Sequence, residues 1–405
     1  MARILYLTQV LPYPLNTGAR VRQYYVLRYL SQKHEVTLVS FVRDEDKSEH
    51  IAHLKTVCAD VQTAPMLRSR VRDIRAVVKG FATRQPIVIA RDEITPMHQL
   101  LTKLLSCEQF DVVHADQISM SQYGLAGHGL RRLLDLHNAM YVVTERLAEN
   151  EPNTLKRLVT RREARALARY EATVCARYDR VTCVTDDDRC LIERQIQRFH
   201  VPVQSDRFMT IPICVDPDEK LPIRSVERPF RITSLGVMLW PPNAEGAAWF
   251  AREVWPAIRA RHPELVFTVA GKNPPDYLTQ LNGRDNVEVL GYASDLDRLL
   301  AETAVFVVPL RAGGGMRVKI LDAWCWALPM VSTTIGAEGI HIRDGENILI
   351  GDTPQAFGAA VQRAYTDATL NQRLRQNGRQ WVEQYYDWHT VYQAWDNVYA
   401  GLLSA

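Results

Sequence analysis

At 405 residues the chain exceeds one ordinary core and suits two α/β domains of roughly 200 residues each. Apolar residues at 47% and charged residues at 23% exclude a disordered or fibrous chain, and a net charge of +3 gives no bulk electrostatic support to a nucleic-acid partner. Seven scattered cysteines, with no Cys-x-x-Cys pair and no histidine at metal-ligand spacing, predict a reducing compartment and no structural zinc. The apolar start at Ile4–Leu7 is too short for a signal peptide, and nowhere do about 18 apolar residues follow one another. The expectation is a cytoplasmic protein, or one held at the inner face of a membrane.

In chain order, strand-like runs alternate with helical stretches. Ile4 to Thr8, a Pro/Gly loop, a helix from about Arg20 to Ser31 and Val36 to Val42 make a βαβ unit. The loop Leu11 to Gly18 leaves the first strand and enters a helix N-terminus, where open parallel sheets bind ligands. Val112-Val113-His114 and Leu133 to His137 read as buried strands ending in histidine, and Arg180 to Val184 as another. Thr210 to Pro229, with four prolines, is the best linker. The alternation restarts with a strand at Phe230 to Leu235, a helix at Ala244 to Arg261, and strands at Leu265 to Ala270, Val287 to Leu290, Ala304 to Pro309 and Pro329 to Ser332. Both halves are therefore predicted to be doubly wound.

The most informative stretch runs from Val307 to Pro329. A buried strand meets Gly313, Gly314, Gly315 and Met316, and a helix then opens with Arg317 and Lys319. Basic residues at a helix start oppose the macrodipole, which makes sense if an anion sits there. The glycines let backbone amides approach a phosphate, and the two cations neutralise a diphosphate; the bland alternative is a flexible loop with a solvated basic helix start. Asp322 shares the first turns and reads either as an acceptor for ribose hydroxyls or as an ion-pair partner of Lys319. His137, ahead of Asn138, is either a structural strand-end histidine or a sugar contact, and His114 is the weaker candidate. Leu67 to Arg84 carries Val71, Ile74, Val78 and Phe81 at helical spacing among basic residues. It is either an ordinary domain helix or a surface for an anionic membrane or a lipid-diphosphate acceptor.

These residues carry a resemblance. The chain resembles glycosyltransferase family 4, retaining enzymes of GT-B architecture with two Rossmann-like domains facing across a donor cleft. Leu11 to Arg22 is similar to the family's first glycine-containing loop, which implies Gly18 near the donor phosphate. Leu134-Asp135-Leu136-His137 resembles the strand whose terminal histidine contacts the transferred sugar. Val237 to Asn243 looks like the opening of the nucleotide-binding domain, but lacks the Arg and Lys that many members carry there, so Arg317 and Lys319 are expected to take over. The usual signature has two acids separated by seven residues; counting back from Asp322, the first falls on Gly314. The pattern Gly-Gly-Gly-x-Arg-x-Lys is closer to a subgroup of bacterial polysaccharide assembly.

The resemblance implies domains at 1–207 and 208–384, with 385–405 returning to the first; Val382 to Leu403 reads as one aromatic-rich helix. The implied donor is a nucleoside-diphosphate sugar, its base near Leu290 and Gly291, its sugar toward His137. The implied acceptor is a glycan, a lipid-linked glycan or a small molecule. Transfer is expected with retention and no metal or other cofactor; if the enzyme inverts, His114 or Asp116 must act as base. The rivals are a catalytically inactive GT-B scaffold and an oxidoreductase, the latter disfavoured because no Gly-x-Gly-x-x-Gly follows the first strand.

Overall fold

A computed structural model describes residues 1–66, 69–127 and 129–404. The chain divides into two compact units, one of Met1–Cys214, Gly314–Met316 and Trp388–Ala405, the other of Val215–Gly313 and Arg317–Asp387. Each is a parallel sheet covered by helices.

In the first unit the strands are β1 (Arg3–Thr8), β2 (Glu35–Val42), β3 (Asp60–Pro65), β4 (Val112–Asp116), β5 (Arg131–Leu136), β6 (Arg180–Cys183) and β7 (Phe208–Thr210). They lie in the order β3-β2-β1-β4-β5-β6-β7, with Tyr6 of β1 level with His114 of β4. Continuous apolar runs such as Ile4 to Leu7 form these strands because both faces of a parallel sheet are covered. The helix Gly18–Ser31 starts at Thr17, whose side chain accepts from the Arg20 amide.

The second unit contains β8 (Arg231–Leu235), β9 (Val266–Ala270), β10 (Val287–Gly291), β11 (Thr303–Val308), β12 (Met330–Ser332) and β13 (Leu349–Ile350), ordered β10-β9-β8-β11-β12-β13. The helix expected over Ala244 to Arg261 is interrupted: Pro241–Trp249 is α-helical, Phe250–Val254 is a π segment, and Trp255–Arg261 resumes. Pro256 is the cause, since it has no amide to offer the Arg252 carbonyl and its ring crowds that oxygen.

The single helix expected from Val382 to Leu403 is a correction. Ala368–Tyr385, Trp388–Val391 and Ala394–Leu403 are separate. Tyr386 leaves the helix at φ −137°, and its carbonyl accepts from Val215 at 3.0 Å. The last two helices belong to the first unit, where Trp388 and Trp395 are fully buried and Trp388 packs on Tyr25 at 5.6 Å. The basic helix read over Leu67 to Arg84 spans Arg70–Thr83 and stops at Arg84 in the left-handed region; Leu67 and Arg68 lie outside the described residues. Among the described residues no helix is long and apolar enough to cross a membrane.

Candidate functional site

In the second unit the chain leaves β8 toward β9 on one side, and β11 lies on the other, so their carboxyl ends form a topological switch point. Doubly wound sheets bind ligands there. β8 runs through Gly236 into the helix Pro241–Trp249, and β11 runs through three glycines into the helix Val318–Cys325. Lys319 joins the two loops. Its Nζ donates to Asn243 Oδ1 at 2.9 Å, and Asn243 in turn donates to the Val237 carbonyl at 2.9 Å. A Cβ on Gly236 would lie 2.6 Å from that Nζ, so the ammonium occupies the space a side chain would take.

Gly313 holds φ +129° and Gly315 φ +72°, and a Cβ on Gly313 would fall 2.9 Å from Arg317 Nη2. Arg317 is the helix N-cap, only 9% exposed, with Glu338 4.0 Å away. Lys319, partly buried, is pushed down to about 7, first by loss of solvation and then by Arg317. Two cations that make each other costly, at a helix start that already favours anions, form a site chemically matched to a diphosphate. Asp322 on the same helix accepts from Lys220, whose ammonium burial would lower but whose pKa Asp322 raises. Arg379 pins the Lys220 turn by donating to the carbonyls of Lys220 and Pro217 at 2.7 and 2.9 Å. Gly291 ends β10 at φ +62°, beside the exposed Leu290 and Tyr292.

The first unit carries a buried charge network beneath His137, which follows β5. Arg22 donates from Nε and Nη2 to the two Asp135 oxygens, both bonds at 3.0 Å and both side chains fully buried. Burial works to raise Asp135, but Arg22 prevails and holds it down to about 2. His137 Nε2 is bonded to Asp116 Oδ1 at 2.8 Å, and the Gln117 side-chain amide reaches His137 Nδ1 at 3.2 Å. Gln117 holds this position at φ +69°. Asp116, Asp135 and His137 have ligand atoms within 4.8 Å of one another, as a metal site would, yet Arg22, Gln23, Thr182 and Tyr6 already serve these carboxylates. The stretch Gly314–Met316 groups with this unit. A Cβ on Gly314 would stand 2.6 Å from Val143 Cγ2, and one on Gly315 3.1 Å from the His137 carbonyl oxygen and 3.3 Å from Asn138 Cβ. Any side chain at Gly314 would have to displace that Val143 methyl.

Residues 17–219 match the family model described as glycosyltransferase family 4, half of the chain, and residues 229–367 match glycosyl transferases group 1. The chain belongs to glycosyltransferase family 4. A 44.6 kDa protein in the cps region of Klebsiella pneumoniae is similar, 21% identical over 97% of this chain and 99% of its own length. Among solved structures, Anabaena HepE in complex with UDP and glucose is 12% identical with a TM-score of 0.67, covering 99% of this chain and 100% of that one. Sucrose-phosphate synthase from Thermosynechococcus elongatus is 15% identical with a TM-score of 0.68, covering 99% of each. The fold of this glycosyltransferase is GT-B.

Three expectations need correction. Asp322 pairs with Lys220 rather than with Lys319, because Lys319 is directed across to Asn243. His114 cannot act as a base on an acceptor: it is fully buried, hydrogen-bonded through Nδ1 to the Tyr399 hydroxyl at 2.9 Å, and pushed down to about 3 by burial. Asp116 is likewise fully buried and bonded to His137, Gln23 and Tyr6. Gly18 opens its helix at the end of the first loop, as its position in the sequence implies. Sequence patterns do not single out Arg22, Gln117 or Lys220, and they place Asn243 in the loop opening the second domain without its bond to Lys319. Asp135 inside an apolar strand was the available signal for Arg22, since a buried carboxylate requires a partner; nothing in the sequence links Lys220 to Asp322.

Proposed function

We propose that this family 4 glycosyltransferase transfers a sugar from a nucleoside-diphosphate sugar to a glycan, lipid-linked or small-molecule acceptor, with retention and without a metal. The observation that supports it is the convergence of Lys319, Asn243 and Arg317 at the switch point of the second unit. In this reading the bond from the anomeric carbon to the diphosphate oxygen breaks and a bond to the acceptor oxygen forms on the same face. The acceptor's proton passes to the departing diphosphate, so no side-chain base is needed. Arg317, Lys319 and the amides of Gly313 to Met316 stabilise the charge on the leaving group, and the two cations supply what a divalent ion would otherwise provide.

Asp322, steadied by Lys220, takes the ribose hydroxyls; the backbone at Leu290 and Gly291 takes the base. HepE was solved with UDP, which makes UDP the first nucleotide to test. A thermal-shift panel of UDP, GDP, ADP and TDP and their sugars is expected to stabilise the wild type, by about 3 kcal/mol at a hundredfold excess over Kd. The folded Arg317→Ala/Lys319→Ala variant should not respond. A wild type indifferent to every nucleotide sinks the proposal and favours an inactive scaffold.

A further inference from the structure

Two helices of the first unit expose apolar side chains. On Arg70–Thr83, Val71, Ile74, Val78 and Phe81 are 58, 64, 63 and 51% exposed and fall on one stripe. On Thr154–Cys175, Leu155 and Leu158 are 72 and 66% exposed. The stripes adjoin, because Arg162, one turn beyond Leu158 on the same face, lies 4.7 Å over the Phe81 ring and donates to the carbonyls of Gly80 and Gln85.

Charge surrounds this patch with one sign. Residues 70–84 hold five basic side chains and one acid, and residues 154–165 again hold five and one, in a chain whose net charge is only +3. Beside the stripe on the first helix, Arg72, Arg75 and Lys79 line a cleft of about 430 Å³ with Glu93, which pairs with Lys79. Apolar side chains of this kind would be left in water by an ordinary domain helix, and a burial of about 25 cal/mol per Å² rewards whatever covers them.

We propose that this face docks on an anionic lipid bilayer. The apolar stripe enters the boundary between headgroups and acyl chains, the basic rim rests on lipid phosphates, and the cleft admits a phosphate headgroup. A bilayer fits better than a protein partner because the rim of ten basic side chains and two acids complements a uniformly anionic surface, while the stripe between them is apolar. The proposal stands apart from the donor assignment, which rests on the second unit.

The test is co-sedimentation of the full chain with vesicles of phosphatidylcholine alone and with about 30% phosphatidylglycerol. Binding to the anionic vesicles alone is expected, with at least a tenfold loss in Val78→Asp/Phe81→Asp, whose exposed sites leave the melting temperature and the UDP response unchanged. Arg72→Gln should weaken partitioning about fivefold, the effect of one basic residue at a charged surface. Equal partitioning to both vesicles, or anionic binding that survives the double substitution, overturns the proposal. So does a doubled molar mass in light scattering that the double substitution abolishes, since the face would then serve a second copy.

Discussion

Replacing Lys319 by Met tests whether the donor site is built at the expense of stability. The unfolded chain keeps the Lys319 proton up to its ordinary 10.5, whereas the folded chain releases it near about 7. Between those values the unfolded state binds more protons, so this lysine makes wild-type stability rise with pH. Integrated from about pH 7 to about pH 9, the gain is about 2 kcal/mol. Met fills the same volume without a charge, so the stability advantage of Lys319→Met should be largest at and below neutral pH and shrink by about 2 kcal/mol over that interval. Losing the 2.9 Å bond to Asn243 adds an offset that does not vary with pH. Urea melts at four pH values give the difference directly, and the same protein should lose its thermal response to UDP. A difference flat in pH would show that the ammonium is solvated; a variant that still answers UDP would remove it from the phosphate site.

Three further outcomes are expected. Arg22→Met leaves Asp135 buried without its bidentate partner and should cost about 3–5 kcal/mol in urea denaturation, part of which Arg22→Met/Asp135→Asn restores. Gly236→Ala places a Cβ 2.6 Å from Lys319 Nζ, the mobile end of a side chain, so the fold should survive with under about 1 kcal/mol lost while UDP binding falls about tenfold. Gln117→Gly relieves a backbone at φ +69° worth about 1–3 kcal/mol of strain but removes the amide on His137. Its melting temperature should hold or rise while donor turnover drops, a split that a purely structural Gln117 would not give.

The strands were legible because parallel sheets buried on both faces write themselves as unbroken apolar runs, as at Ile4 to Leu7 and Ala304 to Val308. The candidate phosphate site was legible because glycines and cations stand together where a strand meets a helix. Pro256 was visible too, yet its effect appears only as the π segment Phe250–Val254, since a helical pattern passes through a bulge with little change of phase. The break at Tyr386 was hidden for a similar reason: aromatic spacing looks alike in one helix or three, and the partner that ends it, Val215, lies far back in the chain. Side chains such as Lys220 and Asp322, or Arg22 and Tyr392, meet only through the fold. Gly314 marked a departure whose meaning needed Val143, 2.6 Å from where a side chain would begin.

The last helices also bear on how the protein is made. Tyr392 and Tyr399 cap Arg22 and His114, so the first unit lacks part of its core until residues 388–403 have been made. Apart from Gly314–Met316, the chain between Cys214 and Trp388 belongs to the second unit, which can mature first. During synthesis the N-terminal sheet must therefore wait with a charged pair and several aromatic surfaces uncovered. A stop codon shortly before Trp388 would leave a nascent chain with every strand present and its oldest domain unsealed.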